Sequence, residues 1–466
     1  VPVWECEKCY DRFVPGSIAE LEEASGSKIK DLHKPEIDDV IVKCKKCGSS
    51  SIRTPEVLDS WIEAGSASFA ERHFPFDSAQ GKPFDKSEKL ENFFPPDYIA
   101  EYTGQIRAWF YVLHVIGAAL YGSNAFKNVS VTGVILGNDG RKMSKNYGNY
   151  PDPKMMLETY GGDALRLYLM GSPVMKGEDI LISEEQYKMQ VRGTLLILWN
   201  VYNFFVSNAR VDGWLPKERE ESKEILDEWI LSRMRGNIQN MTNNGYEVYD
   251  TYEIAGQIRI FIRDLSLWYV RRSRDRVGPS AINSKSKENA YQTLWAVLKE
   301  YSKALAPMVP FISEEIYRNL TGEQSVHLTD WWDASEFKVN EELERNMDDG
   351  IKLSSAVHSI RKQGNVPIRI PLRKINYSGP RKINQQVEKI VLEETNVYEL
   401  NYVGKGKDFP NKYIASGDIT IANQDVKVGV AREIIRKIQA ERKRLGTALD
   451  EWVGVELPEW PKDFEG

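Results

Sequence analysis

Gly137-Asn138-Asp139-Gly140-Arg141-Lys142-Met143-Ser144-Lys145-Asn146-Tyr147-Gly148-Asn149-Tyr150-Pro151-Asp152-Pro153 is the stretch on which the reading of this chain turns. Upstream, Asn128 to Leu136 reads as a strand, its β-branched and apolar content supplied by Val129, Val131, Val134, Ile135 and Leu136. Downstream, Asp152 is a natural N-cap and Pro153 suits the first helical position. Lys142 and Lys145 therefore sit on a glycine-bounded loop between a strand and a helix, where ammonium groups can reach phosphates. A lysine pair in a loop is, by itself, also what an ordinary solvated surface carries.

Length and composition set the frame. A chain of 466 residues, 41% hydrophobic and 28% charged, suits an ordinary globular protein of several domains. The net charge of −6 gives no global basic signature, so a nucleic-acid partner has to use local patches. No secretory signal is visible at Val1-Pro2-Val3-Trp4-Glu5. The most apolar run, Ala108 to Tyr121, is too short to span a bilayer and reads as a buried helix. A cytoplasmic location is expected. Val1 opens inside what reads as a strand, which predicts a piece of a longer chain.

All four cysteines fall early, as Cys6-Glu7-Lys8-Cys9 and Cys44-Lys45-Lys46-Cys47-Gly48. Each pair is spaced for a knuckle turn that points two thiolates at one ion, and four thiolates make a closed, structural zinc site. Two disulfides or four free thiols are the alternatives, disulfides being disfavoured without a secretory context. His33, beside Asp31 and Asp38, reads as a structural hydrogen-bonding residue rather than a ligand.

A second chemical block runs from Pro96 to Phe110. Tyr98, Ile99 and Ala100 make a short buried strand, with a helix from near Thr103. Glu101 falls at the strand's carboxyl end, where ligands bind in open parallel sheets, and can take an α-ammonium or a ribose hydroxyl. Gln105 and Trp109 fall four apart, on one helical face. Arg107 reads as a surface charge, Trp109 equally as core. His114 reads as a packed core histidine.

Farther on, Val191 to Val206, Glu224 to Tyr246, Glu253 to Arg276 and Lys287 to Leu305 have helical period and predict a bundle. Leu267-Trp268-Tyr269-Val270-Arg271-Arg272-Ser273-Arg274-Asp275-Arg276 places four arginines among aromatics, which suits either a phosphate backbone or a salt-bridged helix end. Asn396 to Leu400 and Asp418 to Ala422 read as strands, and Val430 to Leu445 as a basic helix.

The ordered run Lys142-Met143-Ser144-Lys145…Asn149-Tyr150-Pro151-Asp152-Pro153…Tyr160-Gly161-Gly162-Asp163-Ala164-Leu165-Arg166 resembles the KMSK loop and following helix of class I aminoacyl-tRNA synthetases, the isoleucyl-tRNA synthetases in particular. Further matches are Val3-Trp4-Glu5-Cys6, Asp31-Leu32-His33-Lys34-Pro35, Val57-Leu58-Asp59-Ser60-Trp61, His73-Phe74-Pro75-Phe76, the Trp268-to-Arg274 run and Pro310-Phe311-Ile312-Ser313-Glu314-Glu315. Asp77 to Glu88 reads as an exposed loop.

The resemblance implies an α/β fold class: the second half of a class I Rossmann-type nucleotide-binding fold. A small zinc-binding β segment precedes it, and an α-helical anticodon-binding bundle and a small α/β junction follow. The implied domains are 1–58, a zinc-binding segment (Cys6, Cys9, Cys44, Cys47); 59–183, the catalytic half with the KMSK loop; 184–350, the bundle; and 351–466, the junction, which ends short of the family's usual continuation. It further implies that Lys142, Met143, Ser144 and Lys145 bind ATP, with Lys142 and Lys145 stabilising the departing pyrophosphate. Glu101, Gln105 and Trp109 would contact the aminoacyl-adenylate, and Arg271, Arg272, Arg274 and Arg276 the tRNA.

The implied reaction is activation of isoleucine with ATP and Mg2+ and its transfer to tRNA(Ile). Tyr102, Gly104 and Ala108 stand where the family has Gly, Asp and Gly, and Ile62, Glu63 and Ala64 also depart from its pattern. No His-x-Gly-His occurs, so these residues alone are expected to be inactive and to need the first half of the fold, in the same or a separate chain. The editing pocket belongs to the insertion that these residues do not include. A valyl or leucyl enzyme, and a non-catalytic tRNA-binding module, are the rival readings.

Overall fold

The computed structural model describes residues 1–70, 94–217, 222–279, 281–332, 337–406, 411–417, 423–448, 450–457 and 459–461. The His73-to-Phe76 match, the Asp77-to-Glu88 loop and the strand expected over Asp418 to Ala422 lie outside them. The chain divides into two compact units: Val1–Asn149 with Ser172–Ile182, and Tyr150–Gly171 with Ser183–Gly466.

The first unit opens with a small antiparallel sheet of β1 (Trp4–Cys6), β2 (Arg12–Phe13), β3 (Val42–Lys43) and β4 (Ser50–Arg53), in the order β2-β1-β4-β3. Helix α1 (Ile18–Ser25) starts on a Ser17 hydroxyl that accepts the Glu20 N–H. Trp4, Leu21, Ile37 and Val42 form the core. The Trp4 indole N–H donates to the Val40 carbonyl at 2.7 Å, so a large aromatic is buried with its polar atom satisfied.

Helix α2 (Ser60–Ala70) comes next, and a βαβ unit follows the undescribed stretch: β5 (Tyr98–Tyr102), α3 (Trp109–Tyr121) and β6 (Asn128–Thr132). β5 and β6 pair in parallel, Tyr98 opposite Asn128 and Tyr102 opposite Thr132. The strand expected from Asn128 to Leu136 is two strands. β6 ends at Thr132, and β7 (Ile135–Leu136) pairs in parallel with β8 (Ile180–Leu181). Gly133 is the reason for the break: a Cβ there would sit 2.0 Å from the Glu178 carbonyl oxygen, so only glycine lets the two backbones meet.

Three expectations need correction here. β5 is not a buried strand, because only Ile99 in it is buried. α3 buries only Phe110, Leu113 and Gly117, and leaves Tyr111, His114, Val115 and Leu120 exposed. His114 is therefore not packed in a core; its ring lies 6.4 Å from that of Phe126.

The second unit begins with α4 (Pro153–Tyr160) and α5 (Gly162–Met170). Asp152 caps α4 as expected, accepting the Lys154 and Met155 N–H groups. Asp163 does not cap its own helix. Its buried carboxylate accepts the Phe311 and Ile312 N–H groups at 3.2 and 2.7 Å, and so caps α11 (Pro310–Thr321), which opens on a proline and has no side-chain cap of its own. Arg166 donates to the Met308 and Pro307 carbonyls at 3.0 and 2.7 Å. These contacts explain why Tyr150–Gly171 groups with the helices rather than with the strands on either side.

The bundle comprises α6 (Glu184–Gln190), α7 (Leu196–Val211), α8 (Ile225–Met241), α9 (Thr251–Asp264), α10 (Ser284–Leu305), α11 and α12 (Glu341–Gln363). Single π turns extend α8 through Tyr246 and α9 through Val270. The expected boundary at 350 falls inside α12, which runs through unbroken. Gly350 there lets α12 approach α13 (Gln385–Thr395), since a Cβ would meet Val387 at 2.6 Å. β9 (Leu372–Ser378), β10 (Val397–Tyr402) and β11 (Ile414–Ser416) form a sheet in the order β10-β9-β11, with β9 and β10 parallel across α13. The basic helix begins earlier than its period suggests, as α14 (Asn423–Leu445).

Candidate functional site

The lysine loop leaves β7 and is closed by a polar clasp. The Gly137 N–H donates to the Arg141 carbonyl at 2.8 Å, which turns the chain back at once. Asn149 sits at the centre, nearly buried at 4% exposure. Its amide nitrogen donates to the Asp139 carboxylate at 2.8 Å and to the Lys142 carbonyl at 3.3 Å, and its amide oxygen accepts the Ser144 N–H at 3.0 Å. Gly137 must be small, because a Cβ there would lie 2.3 Å from that amide nitrogen. Asp139 also accepts from the Arg141 backbone and guanidinium, and the guanidinium lies 4.4 Å from the Tyr147 ring centroid.

The Asn149 amide, then Arg141, hold the Asp139 carboxyl down to about 2. A depressed carboxyl pKa stabilises the folded form above the ordinary carboxylate value, and that contribution is lost as pH falls through the depressed one. The Asp139 contribution to the clasp is accordingly present at neutral pH and is lost as pH falls towards about 2. Arg141 pairs with Asp139, and Lys142 and Lys145 remain exposed with no ion-pair partner among the described residues.

Asn149 is the residue whose part in the loop the sequence did not disclose. It stands in the matched run, but nothing in its spacing shows that three backbone and side-chain groups converge on it.

Glu101, Gln105 and Trp109 lie where β5 ends. Glu101 is exposed, and its carboxylate accepts the Tyr102 N–H at 3.4 Å. Gln105 and Trp109 do not share a helical face. Gln105 lies in a 3-10 turn, Thr103–Arg107, and its side-chain oxygen accepts the Trp109 N–H at 3.1 Å, capping α3. The Trp109 indole donates to the Ala64 carbonyl at 3.0 Å, tying α3 to α2. This segment leaves the carboxyl end of β5 and the lysine loop that of β7, strands of two separate parallel pairs, and it is at the carboxyl ends of parallel strands that open α/β sheets bind ligands.

Tyr102 and Gly104 are coupled. A Cβ on Gly104 would lie 2.4 to 2.6 Å from three atoms of the Tyr102 ring, so the phenol occupies the space a side chain at 104 would need. Introducing Gly104→Asp alone is expected to push the exposed Tyr102 phenol aside and cost about 0.5 kcal/mol. Adding Tyr102→Gly should recover most of that loss. Thermal melts of the single and double variants check this, and equal melting points for both would contradict it.

The four cysteines converge. Their Sγ atoms all lie within 4.8 Å of one another, with Cys6 to Cys47 at 3.4 Å and Cys9 to Cys44 at 3.6 Å. Two matching turns bring this about: the Tyr10 N–H returns to the Cys6 carbonyl at 3.0 Å, and the Gly48 N–H to the Cys44 carbonyl at 2.9 Å. All four are free thiols. The Ser49 N–H and hydroxyl, then Cys6 and Cys9, hold the Cys47 thiol down at about 6. For Cys9 the Asp11 N–H pulls the other way, and the neighbouring thiols with burial push it up to about 12. Sulfurs around a tetrahedral ion at about 2.3 Å stand about 3.8 Å apart, so this set fits zinc. His33 is no part of the cluster; it is exposed, its ring 2.6 Å from the Asp31 carboxylate.

The four arginines separate into two kinds. Arg276 is held by Asp227 through two 2.7 Å bonds, Arg271 pairs with Glu394 at 3.0 Å, and Arg272 pairs with Glu393 and Glu394. Arg274 is exposed and has no ion-pair partner among the described residues.

Residues 1–181 match the family described as tRNA synthetases class I (I, L, M and V), and residues 227–376 the one described as the anticodon-binding domain of tRNA ligase. The chain thus carries a class I tRNA synthetase catalytic region and an anticodon-binding region. Curated relatives include isoleucine--tRNA ligases: that of Treponema denticola is 36% identical over 450 residues, covering 91% of this chain and 40% of the relative. That of Chlamydia trachomatis serovar D is 39% identical over 417 residues, covering 88% and 39%. The chain thus spans about 40% of the length of these relatives. Among solved structures, the Agrobacterium radiobacter LeuRS in its ternary complex with tRNA and LeuAMS aligns over 95% of this chain and 46% of its own, with a TM-score of 0.52 at 15% identity. That likeness is one of fold, mixed α/β and mostly helical. No helix among the described residues is long and apolar enough to cross a membrane.

Proposed function

We propose that this chain supplies the KMSK-loop part of an isoleucine--tRNA ligase. In the reaction, the isoleucine carboxylate attacks the α-phosphate of ATP. A carboxyl–phosphate anhydride forms, the bond to the β-phosphate breaks, and pyrophosphate leaves with the negative charge. Lys142 and Lys145 stabilise that developing charge, and preorganised charge of this kind is the largest single term in many enzymes. Glu101 takes the isoleucine ammonium. Gln105 and Trp109 hold the turn that carries Glu101 beside the adenylate. Magnesium accompanies ATP as part of the substrate. The observation that carries this reading is the loop itself: a clasp centred on Asn149 and Asp139 fixes its backbone, and both lysines are exposed with no ion-pair partner among the described residues.

The open face of α3 favours a further partner in the same reaction. Tyr111, Val115 and Leu120 are 61%, 45% and 59% exposed beside a parallel pair that has two strands among the described residues. Parallel sheets are stable when covered on both faces. A complementing α/β segment, in the same or a separate chain, would cover this face and complete the site.

Charging of a tRNA(Ile) transcript with labelled isoleucine, by the protein expressed from its complete reading frame, tests the proposal. Charging is the expected result, and RNA binding with no charging would favour a non-catalytic tRNA-binding module instead.

The cysteine cluster is proposed to hold one structural zinc, which would supply a cross-link between β1 and the β3–β4 turn. One zinc per chain is expected by elemental analysis, with its loss in Cys44→Ser. Chelation should unfold the 1–58 segment while leaving the helical bundle's melting transition in place. A chain that melts identically with and without chelator would contradict this assignment.

A further inference from the structure

The four thiols of the cysteine cluster are not equivalent toward solvent. Cys6 is 0% exposed and Cys44 is 7% exposed, Cys9 is half-buried, and Cys47 is exposed. Thiol oxidation follows access as well as thiolate character, so an oxidant in solution meets the Cys47 sulfur first. The Cys6 sulfur lies 3.4 Å from it, and that of Cys44 lies 3.6 Å from Cys9. A sulfur–sulfur bond is about 2.0 Å long, so either pair closes by a movement of side chains alone.

The strands decide what such a bond would join. Cys6 ends β1 and stands opposite Ser51 of β4 in the antiparallel ladder. Cys44 follows β3, and its N–H donates to the Ser49 carbonyl at 2.8 Å, next to the start of β4. The two turns are thereby set side by side at one end of the sheet, although the close pairs are 41 and 35 residues apart in the chain. A Cys6–Cys47 bond joins the first turn to the second, the same two pieces that a four-thiolate ion would join. Cross-linking residues this far apart removes more freedom from the unfolded chain than a bond within one turn. Oxidation therefore replaces the cross-link that it takes away.

We propose that Cys47 is a hydroperoxide-sensitive modification site and Cys6 its resolving thiol, the cluster being held by zinc when reduced and by a Cys6–Cys47 disulfide when oxidised. The Cys47 thiolate attacks a peroxide oxygen, the O–O bond breaks, and the leaving oxygen departs with a proton as an alcohol, or as water from hydrogen peroxide. The Cys6 thiolate then attacks the sulfur of the resulting sulfenic acid. An S–S bond forms, the S–O bond breaks, and hydroxide leaves with a second proton as water. The two thiolates lose two electrons in all, and the peroxide gains them. Two of four ligands are withdrawn, and Cys9 and Cys44 alone do not close a tetrahedral site. A dithiol reductant reverses the change by exchange. Metal release rests on the zinc proposal; the thiol chemistry does not.

The test treats the full, zinc-loaded chain with hydrogen peroxide and follows metal with a chromogenic zinc indicator and thiols by peptide mapping without reductant. About one zinc per chain should be released, with a Cys6–Cys47 linked peptide lighter by about 2 Da than its two thiols. A dione trap for sulfenic acid, added with the peroxide, should label Cys47 ahead of the other three. The oxidised chain should keep the melting transition of the 1–58 segment that chelation removes, and dithiothreitol with zinc should restore the starting state. Cys47→Ala should slow formation of any disulfide at least tenfold. Should that variant fail to fold, trapping and mapping on the unsubstituted chain decide alone. Label spread evenly over the four cysteines, or bonds confined to Cys6–Cys9 and Cys44–Cys47, would overturn the proposal. A Cys6–Cys47 bond in a chain that never held zinc would leave this site standing and remove the zinc reading. Bound zinc with no such bond would do the reverse.

Discussion

Replacing Asp227 by alanine will strip about 3–5 kcal/mol from the helical unit, the cost of leaving a buried charge without its partner. Asp227 is fully buried, and both of its oxygens are engaged. One accepts from Arg276 at 2.7 Å and from the Tyr269 hydroxyl at 2.6 Å; the other accepts from Arg276 at 2.7 Å and from the Ser222 hydroxyl at 2.7 Å. Burial works against the Arg276 charge, and the two bonds to Asp227 more than offset it, so the guanidinium's pKa stands above its ordinary value. Burial, then the Asp227 charge, likewise keeps the Tyr269 hydroxyl protonated. In the alanine variant the guanidinium and the phenol both lose their acceptor inside the bundle. A drop of about 10 °C in melting temperature is expected for a unit of this size. Asp227→Leu combined with Arg276→Met should recover much of the loss, because it removes both charges and refills the volume. A single variant that melts with the parent protein would show that water reaches this network.

Replacing Lys142 or Lys145 by alanine will leave the fold intact and slow isoleucine activation by about 10²–10³-fold, the loss typical of one preorganised charge-stabilising group. Both side chains are exposed and hold nothing together within the chain, so melting curves should overlay those of the parent. The loss should appear in kcat with little change in KM for isoleucine, because the charge that the lysines meet develops only as pyrophosphate leaves. Asn149→Ala makes the complementary prediction. It touches no substrate in this account, and it should lower the rate by loosening the loop while both lysines remain. A change in KM for isoleucine alone, with kcat untouched, would contradict the assignment of the lysines to the departing phosphate.

What was legible in the sequence was local. The two Cys-x-x-Cys spacings disclosed a four-thiol cluster because each knuckle is built within a few residues. The Asp152-Pro153 cap and the strand–loop–helix setting of the lysines were legible for the same reason. What was hidden depended on groups far apart in the chain. Asp163 lies in the right motif, but the N–H groups it caps, those of Phe311 and Ile312, come 148 and 149 residues later. The four arginines near 271–276 look alike in sequence, and only the positions of Asp227, Glu393 and Glu394 show that three of them are structural and one is free. Asn149 has no signature beyond its place in the run. Ala108 to Tyr121 reads as a buried helix because its residues are almost all apolar, whereas the described neighbours cover only one of its faces. The Tyr102–Gly104 departure looks in sequence like the loss of a carboxylate; in the structure it is an exchange of volume between two residues.

The central claim is that the lysine loop serves isoleucine activation, and amino-acid-dependent exchange of labelled pyrophosphate into ATP measures it most directly. With the protein expressed from its complete reading frame, exchange should depend on isoleucine, exceed that with valine or leucine by about a hundredfold, and fall to background when Lys142 and Lys145 are both replaced by alanine. Exchange faster with valine or leucine than with isoleucine, or undiminished in the double variant, would contradict it.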